Sequence, residues 1–108
     1  MSGYYGASLK VYLSALASGE TDRAYGMLCA ESMASISRDE FQRRLQARLA
    51  SLGPIRDLHP LRGGDAVGVT IVEGTLQTVA VDTPMRKEEG SWKPCPRRDP
   101  FGEIRPPP

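Results

Sequence analysis

Asp57 and His59 stand two residues apart in a β-prone stretch, residues 55–61. Two positions of spacing put both side chains on one face of a strand, where they could act as an acid–base pair. Such a pair needs a pocket and a third group to orient it. His59 is followed by Pro60, and the plainer reading is a residue near a strand end at the surface. Asp65 and Asp82 would serve as general bases only from inside a cavity. Asp65 follows Gly63-Gly64 and Asp82 precedes Thr83-Pro84, contexts in which aspartate more commonly bonds its own backbone. Asp57, His59 and Asp82 therefore form the candidate pocket set, and no residue is assigned a catalytic role.

Arg38, Arg43, Arg44 and Arg48 make a basic edge on one predicted helix, to which Arg97-Arg98 would add if the end of the chain folded back. Asp39 and Glu40 interrupt the edge, and aromatic side chains that could stack on bases are missing beside it. It reads as a solvated helix face. The formal net charge of +1 offers no field to gather a polyanion, so no nucleic-acid partner is expected.

Two cysteines, Cys29 and Cys95, are compatible with one bridge or with two buried thiols. Neither has a second Cys or His at ligand spacing, and His59 is the sole histidine, so no metal is expected. No cofactor is expected either. A bridge would tie an early element to a late one and, on the chain-entropy account, contribute about 4 kcal/mol.

These residues must be positioned by one domain, because 108 residues suffice for a single hydrophobic core. In residues 7–18 the apolar positions Leu9, Tyr12, Leu13 and Leu16 follow the i, i+3, i+4, i+7 rule of one helix face, and Gly19 stops it. A second helix is expected over 21–29, with Thr21 or Asp22 as N-cap and Cys29 inward beside Tyr25. Ser37-Arg38-Asp39-Glu40 reads as a capping box, and Ile36 and Phe41 as its hydrophobic staple. The third helix continues through Phe41, Leu45, Leu49 and Leu52 to Gly53-Pro54. Beyond Pro54 the period becomes two. Residues 67–72 and 75–82 form a hairpin, 55–61 a weaker first strand, and 85–88 and 91–95 further strands around Glu89-Gly90. Residues 97–108, rich in Pro and Arg, read as a tail beyond a domain at 1–96.

The segments Tyr12-Leu13-Ser14-Ala15-Leu16-Ala17-Ser18-Gly19-Glu20, Asp22-Arg23-Ala24-Tyr25-Gly26-Met27-Leu28-Cys29 and Gly90-Ser91-Trp92-Lys93-Pro94-Cys95 resemble the cone-shaped superfamily named after nuclear transport factor 2. The likeness is to its small actinobacterial extracytoplasmic members of unknown function. It implies an α+β fold, three N-terminal helices packed on a curved antiparallel sheet of about four strands, a cystatin-like cone. It also implies a disulfide between Cys29 and Cys95. Pro94 departs from the pattern, since proline cannot donate to a ladder and must sit at an edge, a bulge or a strand end.

The expectation is a noncatalytic extracytoplasmic interaction or small-ligand-sensing domain, binding a small apolar ligand or a protein partner. The alternative is a small cone-type enzyme, an isomerase, dehydratase or cyclase, with Asp57, His59 or Asp82 at the mouth. No run of about eighteen apolar residues is present and Met1-Ser2-Gly3-Tyr4-Tyr5 lacks the character of a signal. The expected location is extracytoplasmic with any anchor upstream of this chain, and the alternative is cytoplasmic with free thiols. Apolar residues on both faces of 67–72 and 79–81 imply a second cover for the sheet, and hence a homodimer through its outer face.

Overall fold

A computed structural model describes the backbone of residues 5–53, 55–60, 65–72 and 75–105, and the side chains of 7–53 and 81–104. The chain is α+β. Among the described residues four helices, α1 (Tyr5–Ala17), α2 (Thr21–Gly26), α3 (Ala30–Ser35) and α4 (Arg38–Leu52), precede six strands, β1 (Ile55–Pro60), β2 (Asp65–Val72), β3 (Thr75–Asp82), β4 (Met85–Glu88), β5 (Ser91–Pro94) and β6 (Glu103–Arg105).

The apolar face read for α1 is the centre of the core: Leu9, Tyr12, Leu13 and Leu16 are all fully buried. Around them pack Ala24, Leu28, Phe41, Leu45, Val81 and Phe101. α1 ends at Ala17, and the chain turns away at Gly19, whose φ of 71° suits a residue without Cβ. The start of α2 differs from expectation. Glu20 is the N-cap and makes no side-chain capping bond, its carboxylate lying instead 3.9 Å from Arg23, while Thr21 is buried inside the helix.

The segment 21–29 is not one helix. α2 stops at Gly26, and Cys29 instead caps an additional helix, α3, with Sγ accepting from the Ser32 N–H at 3.3 Å. A sulfur cap is a weak acceptor in sequence terms, which is why three helices are expected and four are found. At α4 the Ser37 hydroxyl accepts from the Glu40 N–H at 3.1 Å. The reciprocal half of the capping box is absent, because the Glu40 carboxylate turns outward to Arg43 and Arg44. Phe41 meets Tyr25 edge to face with centroids 5.5 Å apart, and the Tyr25 hydroxyl donates to the Ile36 carbonyl at 2.7 Å.

The strands form a four-stranded antiparallel sheet ordered β1-β2-β3-β6 and a separate two-stranded sheet, β4-β5. β4 therefore does not extend the main sheet as expected. Thr83 and Pro84 intervene, and the Pro84 carbonyl accepts from the Cys95 N–H at 2.7 Å. In the turn joining β4 to β5, Glu89 and Gly90 both have positive φ, 51° and 80°, the signature of a tight hairpin.

The fourth strand of the main sheet comes from the stretch expected to be a tail. Phe101 is fully buried, and β6 pairs with β3 through Ala80↔Arg105, Val81↔Ile104 and Asp82↔Glu103. Two features turn this segment back. Gly102 has φ 89°, and a Cβ there would overlap the Asp82 carbonyl oxygen. The buried Tyr12 hydroxyl donates to the Pro100 carbonyl. Burial pushes the Tyr12 phenol well above its usual pKa, and the Asp99 charge adds to the rise. Proline-rich composition hid two apolar anchors, Phe101 and Ile104, whose burial outweighs the local preference for extended chain.

Cys29 and Cys95 are bonded, with Cα atoms 5.2 Å apart at a sequence separation of 66. The bridge bolts the cap of α3 to the end of β5. The Cys29 N–H also donates to the Pro94 carbonyl at 2.9 Å, and the Ser32 hydroxyl to the Pro96 carbonyl at 2.6 Å. Pro94 is buried at the end of a two-stranded ladder opposite Met85, where its carbonyl is used and no N–H is needed.

Candidate functional site

The expected pocket residues lie on two strands of the main sheet. Asp57 and His59 lie on the edge strand β1, opposite Val69 and Val67 of β2, and their side chains fall outside the described residues. Asp82 ends β3, with β2 between it and β1. Two ladder spacings separate these backbones by roughly 10 Å. In register Asp82 lies between Asp65 on β2 and Glu103 on β6, so three acidic positions form one row across three strands. Asp82 is half-buried and borders a cleft of about 430 Å³ with Pro84, Arg97, Arg98, Gly102 and Glu103.

The residues that are brought together are the arginines. α4 presents Arg44, Ala47, Arg48 and Ser51 along one side, and the segment leading to β6 presents Arg98 and Asp99 opposite, enclosing a cleft of about 450 Å³. The periodicity of α4 explains the first wall, since Arg44, Ala47, Arg48 and Ser51 recur at i, i+3, i+4 and i+7 on the face that flanks buried Phe41 and Leu45.

The second wall is fastened by hydrogen bonds from the first. Arg44 Nη1 donates to the Arg98 carbonyl at 2.6 Å. Arg48 approaches Asp99 Oδ2 through Nε at 2.7 Å and Nη2 at 2.5 Å. The other Asp99 oxygen accepts from the Phe101 N–H at 2.9 Å. Asp99, only 19% exposed, thus orders its own loop and neutralises Arg48. Arg44 also pairs with Glu40 at 2.9 Å. The two guanidiniums of α4 hold the wall in place. Arg97 and Arg98 are exposed, and neither forms an ion pair among the described residues.

The chemical groups this arrangement offers are guanidiniums beside a single carboxylate. Three guanidiniums face one carboxylate in the cleft, and Arg98 borders both it and the cleft beside Asp82. Planar guanidiniums suit carboxylate or phosphate oxygens. The arginine pair was visible in sequence, whereas its docking against α4 depended on the burial of Phe101. Among the described residues no group of three potential metal ligands occurs, and no helix is long and apolar enough to cross a membrane. Comparison of the chain with protein-family models, with curated proteins and with solved structures gives no match.

Proposed function

We propose that this chain is a noncatalytic, extracytoplasmic binding domain of the nuclear transport factor 2-like cone type, and that it holds an acidic segment of a protein partner in the cleft between α4 and residues 97–99. The observation that carries the reading is the return of the C-terminal segment. Its Arg98 carbonyl and Asp99 carboxylate engage Arg44 and Arg48, which leaves the side chains of Arg97 and Arg98 at the rim. An acidic partner fits this rim better than the apolar ligand suggested by the sequence. The Cys29–Cys95 bond supports the compartment, because disulfides persist where the environment is oxidising. The order of helices before an antiparallel sheet supports the cone type.

Calorimetric titration with an oligo-glutamate peptide at low ionic strength tests the proposal. Binding that weakens as salt is added, and that disappears in an Arg97→Ala/Arg98→Ala variant, is the expected result. Equal binding by that variant would overturn it.

A further inference from the structure

We propose that two copies of this chain join tip to rim, the Glu89 carboxylate of each seating on Arg97 and Arg98 of the other, a contact that rests on the reading of this rim as an acceptor of acidic groups and names a second copy as its partner. Arg97 and Arg98 are exposed and form no ion pair among the described residues. Glu89 is exposed and likewise unpaired among them. The acids beside it are taken: Glu88 lies 3.9 Å from Lys93, and Glu31 pairs with Arg86 at 2.7 Å.

The position of Glu89 is an unusual one for a glutamate. It stands first in the two-residue turn of β4–β5 with φ 51°, where Asn, Asp or Gly fits with less strain. A conformational cost is thus borne at a side chain that contributes no polar contact among the described residues. The turn is also held still. Glu88 accepts from the Ala30 N–H at 3.3 Å, Arg86 grips Glu31, and the Cys29–Cys95 bond fixes the far end of the ribbon. The carboxylate is therefore presented from a fixed point.

Within one copy Glu89 and the two arginines stand at opposite ends of the short hairpin. The ladder runs from Met85↔Pro94 at its base to Glu88↔Ser91 at its tip, and the three steps of β5 span about 10 Å. Below the base the chain is pinned. The Cys95 N–H donates to the Pro84 carbonyl at 2.7 Å, and the Pro96 carbonyl accepts from the Ser32 hydroxyl at 2.6 Å. Two hairpins laid side by side in opposite directions bring each tip to the other's base, so one contact is made twice and the assembly closes at two copies. Exposed ion pairs are individually weak, and Lys87, two residues from Glu89, opposes the approach. The dimer is therefore reversible, sensitive to salt and dependent on both contacts forming together. The homodimer expected from sequence is retained, with its contact at hairpin tip and cleft rim instead of the outer face of the sheet.

Sedimentation velocity at low ionic strength, with protein concentration varied, reads the assembly. The native chain should approach twice 11.8 kDa as concentration rises, and should return to a single copy on addition of salt or of an oligo-glutamate peptide. Glu89→Arg alone and Arg97→Glu/Arg98→Glu alone should each be monomeric with unchanged circular dichroism, since like charges then face each other at both contacts. Mixed in equal amounts they should dimerise again, because the basic tip of one meets the acidic rim of the other while the second contact is the native one. Glu89→Gln should weaken the dimer and decides the matter if Glu89→Arg does not fold; Lys87→Gln should strengthen it. A native chain that stays monomeric at every concentration, or a mixture of the two folded reversed variants that does not associate, would overturn the proposal. If that monomeric chain still binds oligo-glutamate, the rim keeps its reading and the second copy alone is wrong; a chain that does neither overturns both.

Discussion

The two hairpins of this chain solve the same problem in different ways. β4–β5 has four residues in each strand and carries Arg86, Lys87, Glu88 and Lys93. It is bolted to the helices. Cys95 is bonded to Cys29, Arg86 pairs with Glu31 at 2.7 Å, and Glu88 accepts from the Ala30 N–H at 3.3 Å. β2–β3 is twice as long, with charge only at its far end, where Asp65 faces Asp82. A short charged ribbon has little pairing capacity of its own and is secured by covalent and polar ties. A long uncharged one has capacity to spare, and β6 covers only part of it.

Removing the bridge should produce the largest effect and should fall most heavily on one hairpin. A Cys29→Ser/Cys95→Ser variant is expected to lose about 4 kcal/mol in denaturant unfolding. Hydrogen exchange should rise most in β4–β5 and least in β2–β3. The next effect sharpens the contrast from the other side. Gly102→Ala forces a Cβ toward the Asp82 carbonyl at φ 89°, so it should dislodge β6 from β3 and cost about 3 kcal/mol. Chemical denaturation gives the loss, and amide exchange at Val81 and Ile104 locates it.

Tyr12 ties α1 to Pro100, just ahead of β6. Tyr12→Phe leaves a buried carbonyl without its donor and should cost about 2 kcal/mol. The pH dependence follows from the direction of the phenol's shift. Its folded pKa is raised, so the unfolded chain releases this proton first. The associated stability is intact below pH about 10 and is lost as the pH climbs from there toward the folded value. Brief denaturant titrations across that window should show the native chain losing stability more steeply than Tyr12→Phe. The smallest change belongs to the short hairpin. Glu89 holds φ 51°, and Glu89→Asn, a residue suited to that turn, should raise stability by about 0.5 kcal/mol.

Local patterns were legible where one residue spacing has one physical meaning. Leu9, Tyr12, Leu13 and Leu16 announced the buried face of α1, Ser37 the start of α4, and the two-residue period the β2–β3 hairpin. The bridge followed from a resemblance that the coordinates now supply with geometry. What failed to show were the long-range decisions. Cys29 leaves α2 to cap α3 because the bridge and the Pro94 carbonyl hold it there. Residues 99–105 enter the fold because Phe101 and Ile104 find α1 and Val81, which proline and arginine content does not reveal. The basic cleft depends on that return. It was legible only as a condition on Arg97 and Arg98, and Asp99, which fastens it, gave no distinctive signal.

Hydrogen exchange with and without reductant tests the difference between the hairpins most directly. Opening the Cys29–Cys95 bond should speed exchange most at the β4–β5 amides and least at the β2–β3 amides, which their own long ladder holds. Equal acceleration in both hairpins, or faster exchange confined to β2–β3, would contradict the account.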